Sequence, residues 1–362
     1  MIEHDISPLI VWVFAGLVGL HGLIHLLGAA KGLGWAEVSS LEATISPGTG
    51  VAWLAAAVLL MTTTVAYLAN APWWWMPGLM AMAVSQTLIV MSWQAAWAGT
   101  TINVLLLLGC ILGYGAWQFQ SMVQGELGSL TQEATEVRVA EEDLTGLPEP
   151  VQEWLRTSGA LDRDPPQTMS LHQTGRLKTE PGGDWMQVGA KQTVSVQPPA
   201  FVWTASVEAA PQIFLTGRDR YMNGRGEMLI KLLSLVPVVD SSGKEIDQGA
   251  MVRYLAEMVW YPWAATQDYI EWEEVDDHHA EATMRYKGVE ATGVFTFADG
   301  RPVRFEADRY YDRPDGATKE RWVVEMSNHR ELSGLEVPTK ASITWKLDPD
   351  FTWYELEISS LK

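Results

Sequence analysis

His21 and His25 lie four residues apart, so on a helix they share one face, a spacing at which two imidazoles can hold one metal ion. No glutamate follows the first histidine as in a zinc-protease motif, and hydrogen bonding to Ser85, Gln86 or Asn103 is the competing use of the pair. Ser85, Gln86, Gln94 and Asn103 can line a small polar cavity or hold helices together. Arg309 shares the period-two register of Val303, Phe305, Ala307 and Tyr311 and so points to the apolar side of a strand. A guanidinium there meets a carboxylate or phosphate head group, or else reaches back to water at the strand end. Arg253, Tyr254, Trp260, Tyr261 and Trp263 form an aromatic and cationic group suited to a pocket mouth, with core packing as the alternative. Asp276-Asp277-His278-His279 has the composition of a metal grip, but between two strand patterns it reads as a solvated turn. Neither G-x-S-x-G nor H-E-x-x-H occurs, and the one cysteine, Cys110, excludes an internal disulfide or a multi-cysteine metal site. These residues point to binding rather than catalysis, with no cofactor implied.

The elements that position them divide by charge. Residues 6–30 contain no Asp, Glu, Lys or Arg, and after Lys31, Glu37 and Glu42 a further 83 residues, 43–125, carry no formal charge. A membrane-spanning helix needs about 20 mostly apolar residues, so the pattern predicts four spans, at about 8–30, 50–69, 76–93 and 100–120. The turn at Asn70-Ala71-Pro72, the Trp73-Trp74-Trp75 run and Trp97 mark interfaces, where indole rings favour the head-group layer. The first span is not a cleavable signal, because Glu3 and Asp5 replace the basic residues of such a leader and the apolar run is too long. Lys31 is the only cationic side chain before Arg138 and places the first loop in the cytoplasm, which leaves the C-terminal part outside.

Beyond a linker at 121–146, residues 147–362 read as one soluble domain. From 121 onward, 24 Lys+Arg stand against 40 Asp+Glu, and the whole chain carries −19, which excludes a nucleic-acid partner. A short helix starts at Leu147-Pro148 and stops at Gly159. Period-two alternation then dominates, at 168–179, 184–196, 201–208 and 212–222, and again from Ala280 to Ile358, with a hairpin signal at Asp299-Gly300. Two segments, 227–239 and 245–260, read as helices inserted into the meander. Strands with one apolar face need a cover, so the expected fold is an N-terminal four-helix transmembrane bundle followed by an α+β domain. Its curved antiparallel sheet, an open half-barrel, wraps around the inserted helices.

Segments 146–159 (GLPEPVQEWLRTSG), 251–264 (MVRYLAEMVWYPWA) and 297–311 (FADGRPVRFEADRYY) resemble the domain of unknown function 6544 family, a prokaryotic membrane family. Residues 21–35 (HGLIHLLGAAKGLGW) and 85–103 in the apolar half share the likeness. It brings no established activity. By fold analogy the curved meander is similar to periplasmic lipoprotein-carrier domains, which implies an apolar concavity. The expected function is a membrane-anchored extracytoplasmic binding protein for a lipid, a lipoprotein acyl chain or another lipophilic ligand. The ligand contacts fall to Arg309, Tyr311, Arg253, Tyr254, Trp260, Tyr261 and Trp263. Two alternatives stay open: an integral-membrane metal-dependent or redox enzyme using His21 and His25, and a structural membrane assembly protein whose partner the sequence does not name.

Overall fold

The computed structural model describes residues 7–38, 44–161, 163 and 166–362. Glu3, Asp5 and Glu42, which enter the leader and charge arguments above, lie outside the described residues. The chain divides into two compact units, residues 5–121 with Leu233–Leu235, and residues 122–232 with 236–362.

The apolar unit holds α1 (Pro8–Gly32), α2 (Pro47–Leu68), α3 (Trp75–Met91), α4 (Trp93–Ala96) and, up to residue 121, the first part of α5 (Gly99–Glu133). Proline opens both α1 and α2, where its missing N–H costs nothing, and the Ser46 hydroxyl accepts the Thr49 N–H to cap α2. Close approach of α1 and α2 depends on small residues: a side chain at Gly32 would meet the Gly50 backbone at 2.6 Å, and one at Gly28 the Trp53 ring at 2.5 Å. Three helices, α1, α2 and α5, are long and apolar enough to cross a membrane, rather than the four expected. The third expected span is a 17-residue helix, about 25 Å long against a hydrocarbon core of about 30 Å. Its shortness has a local cause, since a turn takes up residues 72–74 and the helix breaks at Ser92 before α4. α5 is longer than expected and continues through Glu126 to Glu133.

The second unit is built on one antiparallel sheet of thirteen strands: β1 (Met169–Leu177), β2 (Met186–Ser195), β3 (Ala200–Ala210), β4 (Ile213–Met222), β5 (Arg225–Leu232), β6 (Val236–Ser242), β7 (Ile270–Asp276), β8 (His279–Tyr286), β9 (Val289–Ala298), β10 (Arg301–Tyr311), β11 (Thr318–Leu332), β12 (Leu335–Trp345) and β13 (Phe351–Leu361). The order is β6-β5-β4-β3-β2-β1-β13-β12-β11-β10-β9-β8-β7. The chain steps out from β1 to one edge, crosses by α7 (Lys244–Glu257) and two 3-10 turns (Met258–Trp260, Pro262–Thr266), and steps back from the other edge until β13 pairs with β1. α7 touches β4, β5 and β6 on one flank and β8, β9 and β10 on the other. A sheet whose two ends meet one helix is curved around it, and this is the half-barrel.

One expected helix is corrected. Residues 227–239 form the β5–β6 hairpin, with Leu233 and Ser234 in the left-handed region at φ 51° and 59° to close its loop. A run rich in Leu, Ile, Met and Val, interrupted only by Lys231, Ser234 and Pro237 after Glu227, shows no clear period by which to separate strand from helix. The second expected helix is α7 with its 3-10 extension. It is seated by Gly226 of β5, whose N–H donates to Asp247 Oδ1 at 2.7 Å and whose missing side chain admits Ala250. The centre of the hollow is therefore packed: Met251, Tyr254, Leu255, Met258 and Val259 are buried against Phe201, Tyr221, Phe295 and Phe305 in one continuous core. α6 (Glu149–Thr157) adds Val151, Trp154 and Leu155 to that core.

Candidate ligand-binding site

Between the C-terminal half of α7 and the inner face of the sheet lies a compact group of charges. The Arg253 guanidinium donates from Nε to Glu257 Oε1 at 2.8 Å, from Nη1 to Asp219 Oδ2 at 2.8 Å and from Nη2 to Gln192 Oε1 at 3.1 Å. Gln192 Nε2 donates in turn to the other oxygen of Glu257 at 2.6 Å. Gln192, Trp203 and Asp219 stand side by side on β2, β3 and β4, which places their side chains on one face. Arg253 lies over the Phe201 and Trp203 rings at 5.0 and 4.8 Å. Burial opposes its charge, but Glu257 and Asp219 more than offset that and hold it above the ordinary arginine range.

Arg309, on β10, borders the same group and differs from Arg253 in having no ion-pair or hydrogen-bond partner among the described residues. Its guanidinium lies over Trp322 at 5.0 Å and Trp345 at 5.9 Å, and Tyr311 meets Trp345 edge-on at 5.0 Å. The carboxylate directly across the strands, Glu320, is turned away to Arg313 Nη2 at 2.8 Å and to Thr318. Burial, followed by repulsion from Arg253, pulls the Arg309 pKa down to about 10, so it remains cationic at neutral pH. On α7 it faces Gly249, where a Cβ would stand 3.3 Å from Nε.

The structure separates the other expected contacts from this pair. Trp260 Nε1 donates to Pro338 O and Trp263 Nε1 to Ala160 O, both at 2.9 Å. Tyr261 donates to Tyr254 O at 2.7 Å, and Tyr254 Oη is shared between Ser195 O at 3.2 Å and Tyr269 Oη at 3.0 Å. All four are buried in the core with these polar ends used, and burial pushes the Tyr254 and Tyr261 phenols well above the usual range. Arg253, Arg309 and Tyr311 stay at the inner wall of the sheet. Residues that sequence reasoning missed join them there: Asp219, Glu257, Gln192, Trp322 and Tyr354.

With the fold and this inner wall in view, comparison with known proteins settles the family. The model of a family of unknown function, DUF6544, matches residues 137–356, more than half of the chain. The chain belongs to the DUF6544 family. A DUF1329 family protein from Desulfovibrio piger is a similar solved structure, at 12% identity and a TM-score of 0.34, over 59% of this chain and 91% of that one. A LolA superfamily protein from Nitrosomonas europaea is similar at 12% identity and a TM-score of 0.34, over 59% of this chain and 92% of its own. No curated protein matches.

Elsewhere in this DUF6544 member the remaining candidates have local partners. His25 Nδ1 donates to His21 O at 2.8 Å, which leaves Nε2 to accept from Ser85 Oγ at 2.9 Å. His21 Nε2 lies 3.1 Å from Asn103 Oδ1 and 3.2 Å from Ser85 Oγ, and Asn103 Nδ2 donates to Gln86 Oε1 at 3.0 Å. The histidines thus join α1 to α3 and α5 through neutral hydrogen bonds, while Gln94 stays exposed. Among the described residues no three His, Cys, Asp or Glu side chains are gathered to hold a metal ion. Asp276 closes the β7–β8 turn on the His278 N–H and on His279 Nδ1, which hold its carboxyl below the usual range. A groove of about 500 Å³ lies on the other face of the sheet, lined by residues including Arg176, Glu325, Lys340, Glu355 and Glu357. Paired surface charges, Arg176 with Glu355 and Lys340 with Glu357, lie along it.

Proposed function

We propose that this protein is a membrane-anchored binding protein whose half-barrel domain, held outside the cytoplasm with the shorter α3 crossing the membrane beside α1, α2 and α5, takes a lipophilic molecule. The observation that carries the reading is Arg309: a cation without an ion pair, on the inner face of an apolar sheet, laid against two tryptophan rings. A domain selected only for stability gains little from an unpaired charge there, because partial removal from water is costly and the attraction of Asp219 and Glu257 offsets only part of that cost. The apolar helices support the anchor. Leu20, Leu23, Ile24, Val58, Val65, Val90, Leu105 and Leu108 are large apolar side chains on their exposed faces, a surface that water disfavours and acyl chains accept.

The packed centre of the hollow confines a ligand to the strip beside α7, between Arg309 and the aromatic wall of β10–β13. The test is mass spectrometry of the full-length protein after gentle extraction into nanodiscs, with labelling of an engineered cysteine at exposed Asp315 by a membrane-impermeant reagent in intact cells. The reading expects a stoichiometric co-purified lipophile and a labelled cysteine. A repeatedly empty protein would overturn the binding function, and a protected cysteine the orientation.

A further inference from the structure

We infer that the Arg309 end of the hollow is a subsite for one singly charged oxyanion, a carboxylate or a phosphodiester, at the end of an apolar chain. This rests on the binding-protein reading and specifies its ligand. Several donors around Arg309 and Arg253 are unused. Arg309 has no acceptor among the described residues. The Tyr354 hydroxyl, which borders the Arg253, Asp219 and Glu257 charges, is buried without a partner, and so is Nε1 of Trp322, the ring on which Arg309 lies. Gln173 spends its Oε1 on Trp203 Nε1 at 2.9 Å and keeps an unpartnered, buried Nε2 on the far side of the Arg253 platform.

Buried polar groups in native proteins nearly always find partners, and Tyr354 Oη beside Arg253 and Nε1 of the Trp322 ring against Arg309 are both free to donate to a ligand. An ionised oxyanion accepts several hydrogen bonds and donates none. The neighbouring carboxylates limit its charge. Asp219 and Glu257 are hydrogen-bonded to Arg253, which leaves Arg309 as the cation that faces the ligand, and the same two acids repel a dianion about twice as strongly as a monoanion. The Trp322 and Trp345 rings and Tyr311 provide the apolar surface on which the first carbons of the chain lie.

The experiment measures binding of dodecanoate, didodecyl phosphate and dodecanol to the full-length protein in nanodiscs, corrected for uptake by empty nanodiscs. At least one anion is expected to bind about tenfold or more tightly than dodecanol, as a charge-assisted hydrogen bond implies, and the better of the two names the head group. Arg309→Gln is expected to abolish the preference. Tyr354→Phe, which removes one hydroxyl, should lower it about threefold to tenfold. Equal binding of all three probes to the wild type, or a preference unchanged in both variants, overturns the subsite and leaves the binding function standing. Binding of none of them overturns both.

Discussion

Two arginines that feel the charge of the same carboxylates are predicted to behave oppositely when removed. Arg253 is bonded to Glu257, Asp219 and Gln192, so Arg253→Ala leaves two acids without their cation and should lower stability by about 3–5 kcal/mol. Arg309 pairs with none of the described residues, so Arg309→Met should leave thermal stability of the ligand-free protein equal to or above the wild type. A loss there of more than about 1 kcal/mol would show that ring stacking, not a ligand, retains the residue. Both are read from thermal unfolding of the same preparation. At this scale the sequence carried a partial signal. Arg309 was visible because it interrupts an apolar period-two register. Gln173, Gln192 and Asp219 interrupt theirs in the same way, at the inward positions after Leu171, Ala190 and Gly217. Reading every polar residue at an inward strand position would have found them. Trp260 and Trp263 carry no comparable signal: an indole near an arginine in sequence holds no information on whether its N–H meets a ligand or, as here, a backbone carbonyl.

Among the elements, α7 decides how the sheet closes, and its seat on β5 is the point to test. A methyl at Gly226 would stand 2.9 Å from Ala250 Cβ and closer still to the Ile246 carbonyl. Gly226→Ala should therefore cost about 1–3 kcal/mol as overpacking and lift α7 from the sheet, seen as faster amide exchange in residues 244–257. In the apolar unit, Ser85 serves both histidines, and Ser85→Ala should lower the unfolding temperature in detergent by an amount corresponding to about 1 kcal/mol. Most strands were legible, because alternating polarity over seven or more residues leaves little else to form. The β5–β6 hairpin was not, since its run is mostly apolar and Lys231, Ser234 and Pro237 break it at no regular period. The third span was over-counted because composition does not register where a turn consumes residues.

For the whole molecule, the tyrosines tie the fold to pH. Burial, the largest effect at each, raises the pKa of Tyr221, Tyr254, Tyr261, Tyr269 and Tyr354 above the unfolded value of about 10. An acid whose folded pKa is raised leaves stability unaffected below the unfolded pKa and drains it above, since only the unfolded chain then ionises. Stability should hold up to about pH 10 and fall steeply beyond, with the tyrosinate absorbance of these five, half of the ten tyrosines, appearing in one cooperative step together with unfolding. A gradual titration of all ten in the folded protein would contradict the burial described. The sequence by itself determined the division into an uncharged helical part and an acidic alternating part, because solvent acts on each stretch of chain locally through charge density and period. It could not determine what faces what inside the sheet. Arg309, Arg253, Asp219, Gln192 and Tyr354 come from four strands and a helix, up to 162 residues apart between Gln192 and Tyr354. Their meeting exists only because β13 returns to β1 and the sheet curls around α7, and no local interaction along the chain encodes that closure.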